Sequence, residues 1–142
     1  MSDLELAAQE FKSQGYSLAV VKNQEILFAS RKSGLLPLLE AAEHLKEQLR
    51  GSALADKVIG KAAALLCLHF KISALYTPLL SQPAQKLLEK SGIHLIADSL
   101  TARILAPGGE STCPMEELTW MVDEPAQGYT LITQRIKAKG RT

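Results

Sequence analysis

Two short blocks of the sequence contain residue types that could act on a ligand. The first block, DKVIGK, places Asp56, Gly60 and Lys61 in front of the apolar run AAALLCL. The second block, TCPMEE, places Cys113 directly before a proline and two acidic residues. A glycine allows a ligand to approach the backbone, a lysine supplies a positive charge, and a cysteine supplies a nucleophile. Together these residue types favour the binding of a small anion, with cysteine chemistry as a further hypothesis.

The first block is not a phosphate-binding P-loop. That motif requires a glycine five residues before the second glycine and a hydroxyl directly after the lysine, whereas this chain has Ala55 and Ala62 at those positions. A glycine and a lysine at the start of a helix remain compatible with anion binding. The alternative is that Lys61 only extends to solvent from the first helical turn. Asp56 likewise has two compatible interpretations, as the N-cap of this helix and as a partner of Lys61 across a pocket.

Cys113 is predicted to lie at the N-terminus of a helix, where the helix dipole favours the reactive thiolate. Glu116 and Glu117 oppose this effect, and no histidine is positioned to act as a base. The alternative is a small residue at a helix cap. Cys67 lies inside the apolar helix and is interpreted as structural.

Other polar residues give weaker signals. Ser33 and Gly34 follow two basic residues in a loop that enters a helix, which could bind an anion but is more often only solvated. The three histidines stand in separate elements without the spacing of zinc ligands, so we predict no metal site and no cofactor. Trp120, with Met115 and Met121, is interpreted as packing on a helix face.

Length and composition indicate the size, the partners and the cellular location to expect for this protein. The chain has 142 residues, the size of one domain, which we assign to residues 1–142. A net charge of +1 argues against nucleic acid or an anionic membrane as the partner. No apolar run reaches the roughly 20 residues of a membrane span, and no secretory signal is evident. Two cysteines in unlike contexts indicate a reduced protein, which we expect in the cytoplasm.

The order of predicted elements indicates a mixed α/β fold. An opening helix ends at Gly15, and a β-hairpin follows in YSLAVV and EILFAS. A helix with Pro37 in its first turn comes next, and then the apolar helix that begins in DKVIGK. The remaining elements alternate: ISALYT as a strand, SQPAQKLLEKSG as a helix, IHLIAD as a buried strand, ARILA as a further candidate strand and CPMEELTWMV as a helix. The segment from Ala126 to about Lys137 fits either a helix or a strand.

The blocks KSGLLPLLE, DKVIGKAAALL, KLLEKSGI and CPMEEL resemble one family over nearly the whole chain. It is the small prokaryotic domain of unknown function numbered eighteen ninety-three, whose fold is similar to cytidine deaminase. The resemblance implies a three-layer α/β/α sandwich with a mixed sheet. Working deaminases carry H-x-E or C-x-E on one helix and P-C-x-x-C on the next. Here Gly60-Lys61-Ala62 stands at the first position, and the second offers only Cys113, so zinc-dependent deamination is not expected.

The resemblance also implies where a pocket would lie, since deaminase-like folds bind ligands where these two helix N-termini meet the sheet. We therefore expect Asp56, Gly60, Lys61 and Cys113 to converge, with the Ser33–Gly34 loop as another wall. If the protein is an enzyme, Cys113 would be the nucleophile or sulfur carrier and Lys61 would stabilise developing charge. The predicted partner is a small anionic or nucleotide-like ligand, and a homodimer is plausible. The alternative is a non-catalytic ligand-sensing or protein-interaction domain.

Overall fold

The computed structural model describes residues 1–106, 108–109 and 112–140 of the chain. In this part the helices are α1 (Asp3–Gln14), α2 (Leu36–Leu45), α3 (Lys61–His69), α4 (Gln82–Ser91), α5 (Pro114–Thr119) and α6 (Pro125–Gly140), with a 3-10 turn at Lys46–Leu49. The strands are β1 (Leu18–Lys22), β2 (Glu25–Ser30), β3 (Ala53–Asp56), β4 (Val58–Ile59), β5 (Ala74–Ser81) and β6 (His94–Thr101). None of these helices has both the length and the hydropathy required to cross a membrane.

The six strands form one mixed sheet, which confirms the predicted sheet type. The hairpin strands β1 and β2 are antiparallel, and β1 is also antiparallel to β3. On one edge of β5 lie β3 and β4, and on its other edge lies β6, all of them parallel to β5. Parallel neighbours require crossover connections, and α3 and α4 supply them here.

The layers on the two faces of the sheet are unequal. On one face α1 packs alone, through Leu4, Ala7 and Phe11, against β1, β3 and β5. On the other face lie α2, α3 and α4, and α5 and α6 pack against α3. The chain is therefore a three-layer α/β/α sandwich, as the sequence predicts.

The apolar helix α3 lies at the centre of the thicker layer. Its residues from Lys61 to Cys67 are all buried, in agreement with a sequence that is apolar almost all round. Gly128 allows α6 to approach closely, because a Cβ atom there would lie 2.8 Å from Leu65 Cδ1. The segment after Pro125 is thus a helix, which decides between the two readings left open by its sequence.

One prediction about the DKVIGK block is wrong, and two strands in and before it were not predicted. The strands β3 and β4, which both pair with β5, precede α3. Consequently Asp56 ends a strand, and the N-cap of α3 is Gly60 instead. The four residues of β3 are all buried between two other strands, and so short a buried strand carries no alternating pattern.

Three further segments differ from their predicted state. The strand β6 was expected to be buried, but it forms an edge of the sheet, and Ile96 and Leu100 are nearly half exposed. The ARILA segment is not a strand and contributes one isolated bridge, from Leu105 to Thr112. Of the predicted packing residues near α5, Met115 contacts the core, whereas Trp120 and Met121 are exposed.

Candidate ligand-binding site

A cavity of about 480 Å³ lies where the N-terminal ends of α3 and α5 approach each other. We call it the Cys113 pocket. It brings together five of the six residues predicted from the sequence: Ser33, Gly34, Asp56, Gly60 and Cys113. The residues Lys57, Ala62, Ala63 and Glu116 also line it, and Arg31 and Lys32 lie at its rim.

The sixth predicted residue, Lys61, directs its side chain elsewhere. Its ammonium donates hydrogen bonds to the Trp120 carbonyl and to Asp123 Oδ1, both at 2.8 Å. The side chain lines a different groove, which shares no lining residue with the Cys113 pocket. The backbone of Lys61 does reach the pocket wall, since its N–H donates to Glu116 Oε1 at 2.5 Å. The structure therefore does not place the Lys61 charge beside Cys113.

Glu116 is the residue of this site that sequence reasoning missed. Its side chain is only 2% exposed, and one carboxyl oxygen accepts from Lys61 N–H at the first turn of α3. Among the described residues the other oxygen, Oε2, has no hydrogen-bond partner. Burial raises the pKa of this carboxyl, while the hydrogen bond from Lys61 N–H and the charge of Lys61 oppose the rise.

The same contact explains why residue 60 is a glycine. A Cβ atom built on Gly60 would lie 1.7 Å from Glu116 Oε1, well inside any permitted separation. The backbone of Gly60 is extended, with φ at −96°, so its conformation alone does not require glycine. The glycine is needed because the Glu116 carboxyl approaches the start of α3 so closely.

Asp56 brings a second buried carboxyl to the pocket. It lies at the end of β3 and is 9% exposed. Burial raises its pKa to about 7, although hydrogen bonds from the backbone N–H groups of Val58 and Lys57 favour the charged form. Near neutral pH, Asp56 can therefore take up or release a proton.

Cys113 occupies the N-cap position of α5, and its side chain makes no capping hydrogen bond. It is partly exposed, and its backbone N–H donates to the Ile104 carbonyl at 2.9 Å. No histidine lines the pocket among the described residues. By contrast, Cys67 is fully buried in α3, and burial raises the pKa of its thiol well above the ordinary value.

Most basic side chains near the pocket are already engaged. The Arg31 guanidinium lies 4.7 Å from the centre of the Tyr16 ring and donates to the Gln14 carbonyl. Lys32 forms a salt bridge with Glu40 at 2.9 Å. Lys57 lines the cavity and is exposed, and it forms no salt bridge within the part of the chain that the structure describes. It is the cation best placed to meet a ligand.

The pocket residues do not fit a zinc ion. Structural and catalytic zinc sites take three or four ligands from histidine, cysteine or carboxylate side chains, and residues 61–63 of α3 supply none. The described residues contain no group of three or more such side chains close enough to hold a metal.

Comparisons with other proteins identify the family to which the chain belongs. The model of the family DUF1893 (TM1506), a domain of unknown function, matches residues 6–136. The chain belongs to this family. Its fold is similar to the crystal structure of a DUF1893 family protein (TM1506) from Thermotoga maritima, with a TM-score of 0.86 and 29% identity over 95% of this chain and 91% of that chain. No curated protein matches the chain.

Proposed function

We propose that the Cys113 pocket binds a small anionic or nucleotide-like ligand. The observation that carries this proposal is Glu116 Oε2, a buried carboxyl oxygen without a hydrogen-bond partner among the described residues. Buried polar atoms are nearly always paired, because an unpaired one loses its hydration without compensation. A group that pairs with this oxygen in the bound state would remove that penalty.

The charges around the pocket favour an anion. Burial raises the pKa of Glu116, and it raises the pKa of Asp56 to about 7; both shifts favour the neutral carboxyl and so limit the repulsion of a negative ligand. Lys57 supplies a positive charge at the rim. The first turn of α3, where Ala62 and Ala63 line the cavity, adds the positive end of a helix dipole.

The hydrogen-bonding groups of a carboxylic acid suggest that the ligand also carries a nucleobase. A protonated carboxyl offers a donor and an acceptor side by side, which matches the paired amide or imino groups on the edge of a nucleobase. A ligand with such an edge near Glu116 and a phosphate or carboxylate near Lys57 would use both features. The location, between two helix N-termini, is also where a deaminase-like fold would bind its substrate.

Two functions stay open for this pocket. In the first, Cys113 acts as a nucleophile or sulfur carrier, with Asp56 as a group that exchanges protons near neutral pH. In the second, the pocket only senses its ligand, an alternative favoured by the lack of a histidine beside Cys113 in the described part of the pocket. The Lys61 ammonium supports neither role, because it faces away from Cys113. The homodimer suggested by the resemblance stays a prediction.

The experiment is a thermal-shift titration with AMP, CMP, GMP, UMP and inorganic phosphate. We expect at least one nucleotide to raise the melting temperature of the wild type by binding the folded state. The rise should shrink in Lys57→Gln and in Glu116→Leu, which remove the charge and the carboxyl. It should persist in Lys137→Gln, a matched control on the exposed side of α6.

The Cys113→Ser variant separates the two functions. A sensing pocket keeps its thermal shift in this variant and shows no turnover in the wild type, whereas a cysteine enzyme loses product formation. If no probe shifts the wild type, or if Lys57→Gln, Glu116→Leu and Lys137→Gln respond equally, the Cys113 pocket is not the binding site for such ligands.

A further inference from the structure

A second groove lies between α4 and the turn that connects α5 to α6, with a cavity volume of about 670 Å³. We call it the Trp120 groove. It is lined by three lysines, Lys61, Lys86 and Lys90, together with Trp120 and Asp123. The function proposed for the Cys113 pocket uses none of these side chains.

Positive charge exceeds negative charge along this groove. Lys86 and Lys90 are four residues apart on α4 and therefore point from the same helix face, and both are exposed. Neither forms a salt bridge with any other described residue. Asp123 is the acidic residue of the lining, and it is already paired with Lys61.

Lys61 contributes a cation that the protein has fixed in place. The residue is 6% exposed, and its ammonium donates to the Trp120 carbonyl and to Asp123 Oδ1. An ammonium has three N–H donors. In the described structure these two contacts leave one donor for a ligand, at a position held by the backbone of Trp120.

No hydrogen bond found for Trp120 in the described structure requires an indole side chain. The hydrogen bonds of Trp120 in the described structure are made by its backbone: the N–H donates to the Glu117 carbonyl, and the carbonyl accepts from Lys61. Any residue could make them. The side chain is 46% exposed, and an exposed aromatic ring beside several cations is the arrangement that proteins use to stack a base and hold its phosphates.

We propose that the Trp120 groove binds a nucleoside diphosphate, with the base stacked on the Trp120 ring and the phosphates on Lys86 and Lys90. Lys61 holds the ring in position through the backbone and offers its remaining N–H to the nearer phosphate. The site is separate from the Cys113 pocket, so one ligand can occupy each.

The chain contains one tryptophan and three tyrosines, so fluorescence excited selectively at the tryptophan reports on this groove. We expect ADP to quench that fluorescence in a saturable way at low salt, and added salt to weaken the binding. The double variant Lys86→Gln/Lys90→Gln should bind ADP about tenfold more weakly or worse, because charge-assisted hydrogen bonds to phosphate are strong. Lys137→Gln, at an exposed lysine outside the groove, should match the wild type.

Two further probes separate the base from the phosphates. Adenosine tests stacking without charge and pyrophosphate tests charge without a base, and we expect each to bind more weakly than ADP. Equal binding of pyrophosphate and ADP would reduce the site to an anion site and overturn the stacking. The whole proposal fails if several millimolar ADP causes no quenching, or if Lys86→Gln/Lys90→Gln binds like the wild type. Quenching of Trp120 does not depend on Lys57 or Glu116. Failure of the proposal for the Trp120 groove is therefore distinguishable from failure of the proposal for the Cys113 pocket.

Discussion

Asp56 is a carboxyl group whose proton affinity depends on the fold. It is 9% exposed and ends a strand inside the sheet, so that its charged form loses most of its hydration. Burial raises its pKa from 3.8 to about 7. Between these two values the unfolded chain releases the proton and the folded chain retains it. Asp56 therefore lowers the stability of the fold progressively as the pH rises from about 4 to about 7, and has its full destabilising effect above 7.

The variant Asp56→Asn should remove this pH dependence. Asparagine has a similar shape and keeps an oxygen that can accept from a backbone N–H, but it cannot ionise. We expect the variant to gain stability relative to the wild type as the pH rises, by up to roughly 4 kcal/mol for a shift of this size. Urea unfolding at several pH values measures the difference, and the parallel contribution of Glu116 cancels in the comparison. A constant difference from acid to neutral pH would show that Asp56 ionises normally in the fold.

The two helix N-termini of the Cys113 pocket are joined by one side chain. Glu116, in the first turn of α5, accepts a hydrogen bond from the first N–H of α3, which Gly60 leaves without a side-chain cap. A cap supplied from another helix links the two elements in a way that no local sequence pattern describes. The sequence alone therefore marks Gly60, next to Lys61, as a candidate, whereas it indicates for Glu116 only a negative charge near Cys113.

The variant Gly60→Ala tests this link between α3 and α5. The added methyl group overlaps Glu116 Oε1, so the carboxyl must move or α3 must shift. We expect a loss of about 1–3 kcal/mol in the free energy of unfolding, as for other overpacked sites. In the double variant Gly60→Ala/Glu116→Ala the overlap with the carboxyl is absent and only the 2.9 Å approach to Ile104 Cγ1 remains, so the loss should be smaller than the sum of the single losses. Additive losses in chemical denaturation would contradict a direct contact between the two residues.

The sequence predicts some elements of the fold well and others not at all. Elements with strong local signals were recovered, such as α1 with Gly15 as its C-cap and α4 with Gly92 as its C-cap. The short strands β3 and β4 are not predicted, because four and two residues are too few to show a period. The place of the pocket is implied by the resemblance to the family, and residues of the DKVIGK and TCPMEE blocks line a cavity there. The direction of a single side chain, Lys61, could not be predicted, because it depends on the turn between α5 and α6.

The uneven layering of the sandwich predicts how its stability is distributed. In α3, buried between the sheet and α6, backbone amides can exchange only through large openings, whereas β6 is an edge strand with both faces partly exposed. We expect amide hydrogen exchange to be slowest in β3, β5 and α3 and markedly faster in β6, although β6 pairs with β5 along its whole length. The comparison between β5 and β6 is internal, because the two strands share one ladder of hydrogen bonds. Equal protection of the amides in β5 and β6 would contradict the exposure of β6 in solution. Repeating the exchange measurement on a diluted sample would then show whether a second copy of the chain covers that edge.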